Sequence, residues 1–140
     1  MSITTSAILE RFEKQSTVLL TTFKRDGTPV RTPVSIVVRD GLAYFRTWDT
    51  AGKAKRLRNN PEIEVAPSTF RGEPTGPAVR GVARLLDAAE AKPIRRLFAR
   101  KYPLLQRFLV PLGHKIMRVH TLHYEVTLQA TEDGSGATPS

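Results

Sequence analysis

Residues Thr22 to Pro61, TFKRDGTPVRTPVSIVVRDGLAYFRTWDTAGKAKRLRNNP, decide how this chain folds. Val18 to Lys24 is β-branched and apolar, Asp26-Gly27-Thr28-Pro29 is a turn cluster, and Val30 to Val38 is a second run rich in Val, Ile and Thr. Two such runs around a turn predict a β-hairpin. Asp40-Gly41 is a sharper two-residue turn signal, and Leu42 to Thr47 resumes with Tyr44 and Phe45, so a third strand should pair antiparallel with the second. From Thr50 the pattern changes. TAGKAKRLRNNP holds good helix formers, Thr50 as a candidate cap and Asn59-Asn60-Pro61 as a stop. The expectation is three strands running into a basic helix of about three turns.

Lys53, Arg56 and Leu57 fall at i, i+3 and i+4 of that helix. One flank can therefore pack through Leu57 while the cations project near the amino end. Free backbone N–H groups, the helix dipole and Lys53 would all favour an anion there. Spacing alone also allows a merely solvated basic helix, since no glycine-rich phosphate loop accompanies it.

The rest of the chain extends the β pattern. Glu62 to Phe70 alternates as a strand, and Gly72 to Pro77 is a loop. Ala78 to Leu86 sets Arg80, Val82 and Arg84 on one face and Val79, Gly81, Ala83 and Leu85 on the other, the second set facing the core. Gly81 marks a bulge or a close backbone approach. Asp87-Ala88-Ala89-Glu90 has capping-box spacing for a helix, and Pro93 inside it predicts a kink or a restart. Leu97, Phe98, Tyr102, Leu105, Phe108, Leu109 and Leu112 give one or two helices an apolar face. Met117 to Ala130 reads as a closing strand, with Leu122, Tyr124, Val126 and Leu128 inward.

A chain of 140 residues suits one domain, drawn here as 1–130 with 131–140 a disordered Gly-, Ser- and Thr-rich tail. The absence of cysteine excludes disulfides, thiolate nucleophiles and Cys-type zinc sites. MSITTSAILERFEKQ lacks the pattern of a leader, and no stretch approaches the roughly 20 apolar residues of a membrane span. A soluble, cytoplasmic protein is expected, opening with an amphipathic helix in which Ile8 and Phe12 share a face. His114, His120 and His123 show no metal-ligand spacing, and no metal is expected.

Net charge is +9, and the segment from Lys92 to Arg118 holds eight Lys or Arg with no Asp or Glu. Such a block invites anions: nucleic acid, an acidic membrane surface or a polyanionic small molecule. Nucleic acid is disfavoured, because the aromatic-plus-glycine signature of an RNA-binding sheet is missing. A basic amphipathic pair could lie on a membrane, but burial against a barrel is the commoner use of such a face.

The succession GTPVRTPV, AYFRT and GKAKRLRNNPEIEV resembles the cofactor-binding half of the pyridoxamine 5′-phosphate oxidase-like split β-barrels. With GPAVRGVARLLDAAEA and RKYPLLQRF it is similar, more narrowly, to the small actinobacterial flavin/deazaflavin oxidoreductases that use coenzyme F420. The likeness runs from about Ser16 to Val126. It implies a mainly β fold with some α, an antiparallel split barrel of the FMN-binding type with peripheral helices. It also implies a homodimer with two sites across the interface.

In that family a second-strand arginine and an Arg-Lys pair at the helix start hold the flavin phosphate. Arg31 matches the strand arginine and Lys53 the lysine of the pair, while Gly52 stands where the pair's arginine would be. The same alignment sets Thr32, Pro33, Val34 and Ser35 around the ring and Thr47, Trp48 and Thr50 at the phosphate end. None of these is assigned proton-transfer catalysis. The implied activity is F420-dependent hydride transfer to or from an unsaturated small organic substrate. The alternatives are an FMN-binding reductase or oxidase of the same fold, or a non-catalytic cofactor- or anion-binding protein.

Overall fold

Asp40 and Gly41 both adopt positive φ, 52° and 79°, the primed turn geometry whose twist matches two paired strands. Arg39 therefore lies opposite Leu42, and the second hairpin closes where the Asp-Gly signal placed it. The computed structural model describes residues 5–69, 71–102 and 120–129. In chain order these form α1 (Thr5–Glu13), β1 (Thr17–Phe23), β2 (Pro29–Arg39), β3 (Leu42–Trp48), α2 (Gly52–Asn59), β4 (Glu62–Pro67), β5 (Val79–Leu85), α3 (Ala88–Lys101) and β6 (Thr121–Leu128).

The strands close a barrel in the order β1-β2-β3-β6-β5-β4, every neighbouring pair antiparallel. The mainly β, antiparallel barrel with peripheral helices that the sequence implied is thus the observed fold. Period-2 alternation fills it. Val18 and Leu20, Val34 and Ile36, Ala43 and Phe45, Ile63 and Val65, and Tyr124, Val126 and Leu128 meet in one core. Ile8 and Phe12 of α1 and Leu57 of α2 join that core, as their helical spacing required.

A second apolar layer lies outside the wall. Val37, Tyr44 and Leu86 pack there against Ala91, Ile94 and Phe98 of α3. The helix starts with both arms of a capping box: Asp87 Oδ1 accepts the Glu90 N–H at 2.8 Å, and Glu90 Oε1 accepts the Asp87 N–H at 3.0 Å. Such caps contribute about 1 kcal/mol. Arg84 pairs with Glu90 at 3.0 Å and Glu125 at 3.3 Å, but all three lie near the surface, where ion pairs add little.

Four expectations are corrected. Helix α2 begins later than Thr50: its N-cap is Ala51, with no side-chain capping bond, and the helix is eight residues, nearer two turns than three. The fourth strand ends at Pro67, where the chain turns into a bridge between Ser68 and Pro74. Leu85 is 49% exposed, because β5 reaches the barrel rim there and the next residue, Leu86, takes the buried place beneath α3. Pro93 causes no restart, since α3 runs through it. Its missing N–H would have bonded the Ala89 carbonyl, which stands in an exposed first turn open to solvent.

No helix among the described residues is long and apolar enough to cross a membrane. The tail 131–140, the apolar positions Leu105, Phe108, Leu109 and Leu112, and His114 lie outside the described residues.

Gly81 is a close approach rather than a bulge. A Cβ there would stand 2.9 Å from the backbone oxygen of Thr127 and 3.3 Å from Val126 Cγ1. A backbone oxygen within a barrel ladder cannot swing aside. Gly81→Ala is therefore expected to lose about 1 kcal/mol or more of stability, overpacking outweighing the gain from a stiffer unfolded chain. Urea denaturation measures this; a stabilised variant would show that β5 and β6 have room to part.

Candidate functional site

Strand β2, at eleven residues, serves two partners in turn. Pro29–Ser35 pairs with β1, and Ile36–Arg39 pairs with β3. β3 runs on to Trp48 against β6 alone. The wall is therefore split where Ser35 and Arg46 part company.

Among the described residues, the split leaves Pro29–Ser35 of β2 without a strand partner on that side. The Thr28 carbonyl accepts the Lys24 N–H, and the Tyr102 hydroxyl accepts the Ile36 N–H and donates to Ser16 O just before β1 at 2.6 Å, with Ile36 O 3.0 Å away. Even-numbered residues thus direct their backbone toward β1, and alternation directs that of Pro29, Arg31, Pro33 and Ser35 toward the split. Two of these are prolines, which blunt an open edge. The backbone groups of Arg31 and Ser35 therefore face the split.

Side chains alternate the other way across the wall. Val34 is buried inward, and the inward Thr32 hydroxyl is buried with no hydrogen-bond partner among the described residues. An orphan of that kind costs about 1–3 kcal/mol unless something pairs with it. Arg31, Pro33 and Ser35 face outward, with Arg31 exposed. The four residues Thr32 to Ser35 therefore do not offer their side chains to one ligand surface; the shared element is the backbone edge.

The opposite lip is the end of β3 and the start of α2. Thr47 points inward and is buried; Trp48 is 45% exposed, so it is not a core aromatic. Thr50 and Gly52 are exposed. On α2, Ala54 and Leu57 are buried and anchor the helix on the barrel. Lys53 is half-buried, and both that burial and the nearby Arg56 charge push its ammonium below the usual lysine range. Arg56 Nε donates to Thr22 Oγ1 of β1 at 2.6 Å. Among the described residues, neither Lys53 nor Arg56 forms an ion pair. Two adjacent cations with no carboxylate between them, beside the first turn of a helix, suit an anion.

Sequence reasoning missed the groups that brace the split from outside. Arg46 lies 4.6 Å from the centre of the Phe98 ring and 5.9 Å from that of Tyr102, a cation–π stack. Lys101 Nζ donates to Ile36 O at 2.7 Å. With the Tyr102 hydroxyl, this ties the end of α3 to the point where β2 changes partner. His123, opposite Arg46 in register, is 3% exposed. Burial and the charges of Arg46 and Arg95 push its imidazole down to about 4. Strand alternation alone could have placed Arg46 and His123 together outside the wall; the rings that cover them come from α3. No group of three His, Asp or Glu among the described residues is arranged to hold a metal ion. A depression lined by Phe23, Asn60, Glu62, Glu64, Arg80 and Gln129 lies on the β4–β5 side, at the carboxyl end of α2.

A six-stranded antiparallel barrel, parted between its second and third strands with a basic helix after the third, defines the split-barrel class. The model of the pyridoxamine 5′-phosphate oxidase family matches residues 4–121, and the chain belongs to that family.

Solved structures agree on the fold. An FAD-binding protein of Mesorhizobium loti is similar at 13% identity and a TM-score of 0.66, over 92% of this chain and 90% of its own. A conserved hypothetical protein of Mycobacterium tuberculosis gives 20% identity and 0.63, over 91% and 81%. The heme storage protein HutZ of Vibrio cholerae gives 15% and 0.61, over 89% of each. No curated protein matches the chain in sequence.

Proposed function

We propose that the chain is an F420-dependent oxidoreductase of the split-barrel family, acting on an unsaturated small organic substrate. The observation that carries this is the pair Lys53 and Arg56 at the start of α2, which forms no ion pair among the described residues and is tied through Arg56 to Thr22 of β1, the register partner of Val30 in β2. A ligand with a planar, carbonyl-bearing ring and an anionic tail matches that pair and the β2 backbone facing the split. Lys53, the N–H of Gly52 and the strand arginine Arg31 would hold the phosphate. The N–H groups of Arg31 and Ser35 and the side chains of Pro33 and Trp48 would border the ring, with Thr32, Val34 and Thr47 lining the barrel side and Thr50 the phosphate end. When bound, the deazaflavin supplies hydride transfer at its ring carbon five, so the protein needs to position rather than to attack. The reading includes a homodimer, the partner covering the open side of the split.

FMN is the second candidate, supported by the FAD-binding relative of the same fold. Titration with F420 and FMN side by side, followed through Trp48 fluorescence, separates the two. Lys53→Ala is expected to weaken the preferred cofactor by roughly 10-fold or more, the worth of one charge-assisted hydrogen bond. Unchanged affinity would take Lys53 out of the site. Failure of both cofactors to bind below about millimolar, some 4 kcal/mol, would end the oxidoreductase reading.

A further inference from the structure

We infer that Arg56 is the second phosphate-binding cation of this site, its guanidinium lying over Gly52 in the space that a longer side chain at residue 52 would share. The inference rests on the cofactor reading just given. A Cβ built on Gly52 would meet Arg56 Nη1 at 2.9 Å and its Cζ at 3.8 Å. Side chains of an α-helix lean toward its amino end, so residue 56 reaches back over residue 52, one turn earlier. The guanidinium is also oriented. Its Nε is committed to Thr22 Oγ1 at 2.6 Å, and the terminal nitrogens point together over the first turn of α2. A guanidinium held this way presents a two-pronged donor set that a phosphate matches and an ammonium cannot reproduce. The arginine that the family pattern sets just before Lys53 is thus supplied from one turn further along.

The test measures dissociation constants of F420, FMN, riboflavin and inorganic pyrophosphate for wild type, R56A, R56K, G52R and the double variant G52R/R56A. R56A is expected to weaken the phosphate-bearing ligands by roughly 10- to 100-fold and leave riboflavin unchanged. R56K keeps the charge without the fork, should lose most of the same affinity, and decides the matter if R56A fails to fold. G52R alone crowds two guanidinium groups into one space and should bind less tightly than wild type. G52R/R56A moves the arginine to position 52 and should return to within about threefold of wild type. A folded R56A with wild-type affinity overturns the role of Arg56; a double variant no better than R56A overturns the exchange with Gly52. Pyrophosphate binding that R56A abolishes, with neither F420 nor FMN bound by wild type, keeps the arginine and removes the cofactor reading. No binding of any phosphate-bearing probe removes both.

Discussion

Phe98→Ala is expected to lower the stability of the protein by about 3–5 kcal/mol. Phe98 is fully buried, and its ring is the centre of the layer between α3 and the barrel, among Val37, Tyr44, Leu86, Ala91 and Ile94. Truncation leaves a cavity that a strand wall and a capped helix cannot collapse to fill. It also removes the ring beneath Arg46 and one face of the stack with Tyr102, whose centroid is 6.1 Å away. A half-buried guanidinium would then lose its aromatic cover and face the neutral His123 across the register. Because single domains are stable by only about 5–15 kcal/mol, this loss should be obvious in urea titration. Leu97→Ala on the same helix, only partly buried, should cost less than half as much. A Phe98→Ala protein within about 1 kcal/mol of wild type would mean that α3 contributes little to the barrel.

The consequences of Phe98 were only partly legible in the sequence. The first two hairpins, the Asp40-Gly41 turn, the capping box at Asp87 and the inward set on β6 follow from local rules, because alternation and turn chemistry act within a few residues, whereas the pairing of β3 with β6 and of β1 with β4 does not. The split needed one more observation, that β2 is eleven residues long while β1 and β3 have seven each. A strand that outruns both neighbours must change partner or leave an edge open. What local pattern could not supply were contacts made across long separations. Arg56 meets Thr22 from 34 positions away, and Tyr102 meets Ser16 from 86. The sequence places Arg56 as a projecting cation on a basic helix and Tyr102 on an apolar helix face; both are tied to the barrel by hydrogen bonds. Leu85 failed for a related reason: alternation gives the face of a residue, whereas its burial depends on where the barrel rim falls.

The braces around the split also set how the fold responds to acid, and His123 dominates that response. Its imidazole is buried, lies opposite Arg46 and near Arg95, and holds its pKa at about 4 against about 6.5 in an unfolded chain. Above pH 6.5 both states carry neutral imidazole, and the group has no effect on folding. As pH falls from 6.5 toward 4, the unfolded chain takes up a proton that the native chain refuses, so native stability declines through that window. The full loss by pH 4 is about 2–3 kcal/mol. Carboxylates enter lower down: Thr28 hydrogen bonds hold Asp26, and the Arg84 contact holds Glu90, below their usual range, so their stabilising effect fades only near and below pH 4. Among the described residues, the interval from pH 6.5 to 4.5 therefore belongs to His123. His123→Phe, which suits the aromatic layer 5.8 Å from Phe98, should flatten the stability profile across that interval while leaving the slope below pH 4 intact. Urea titrations of both proteins at half-unit pH steps measure the difference. Parallel profiles would mean that the native imidazole takes up its proton as readily as the unfolded one, with Arg46 and Arg95 turned away from it.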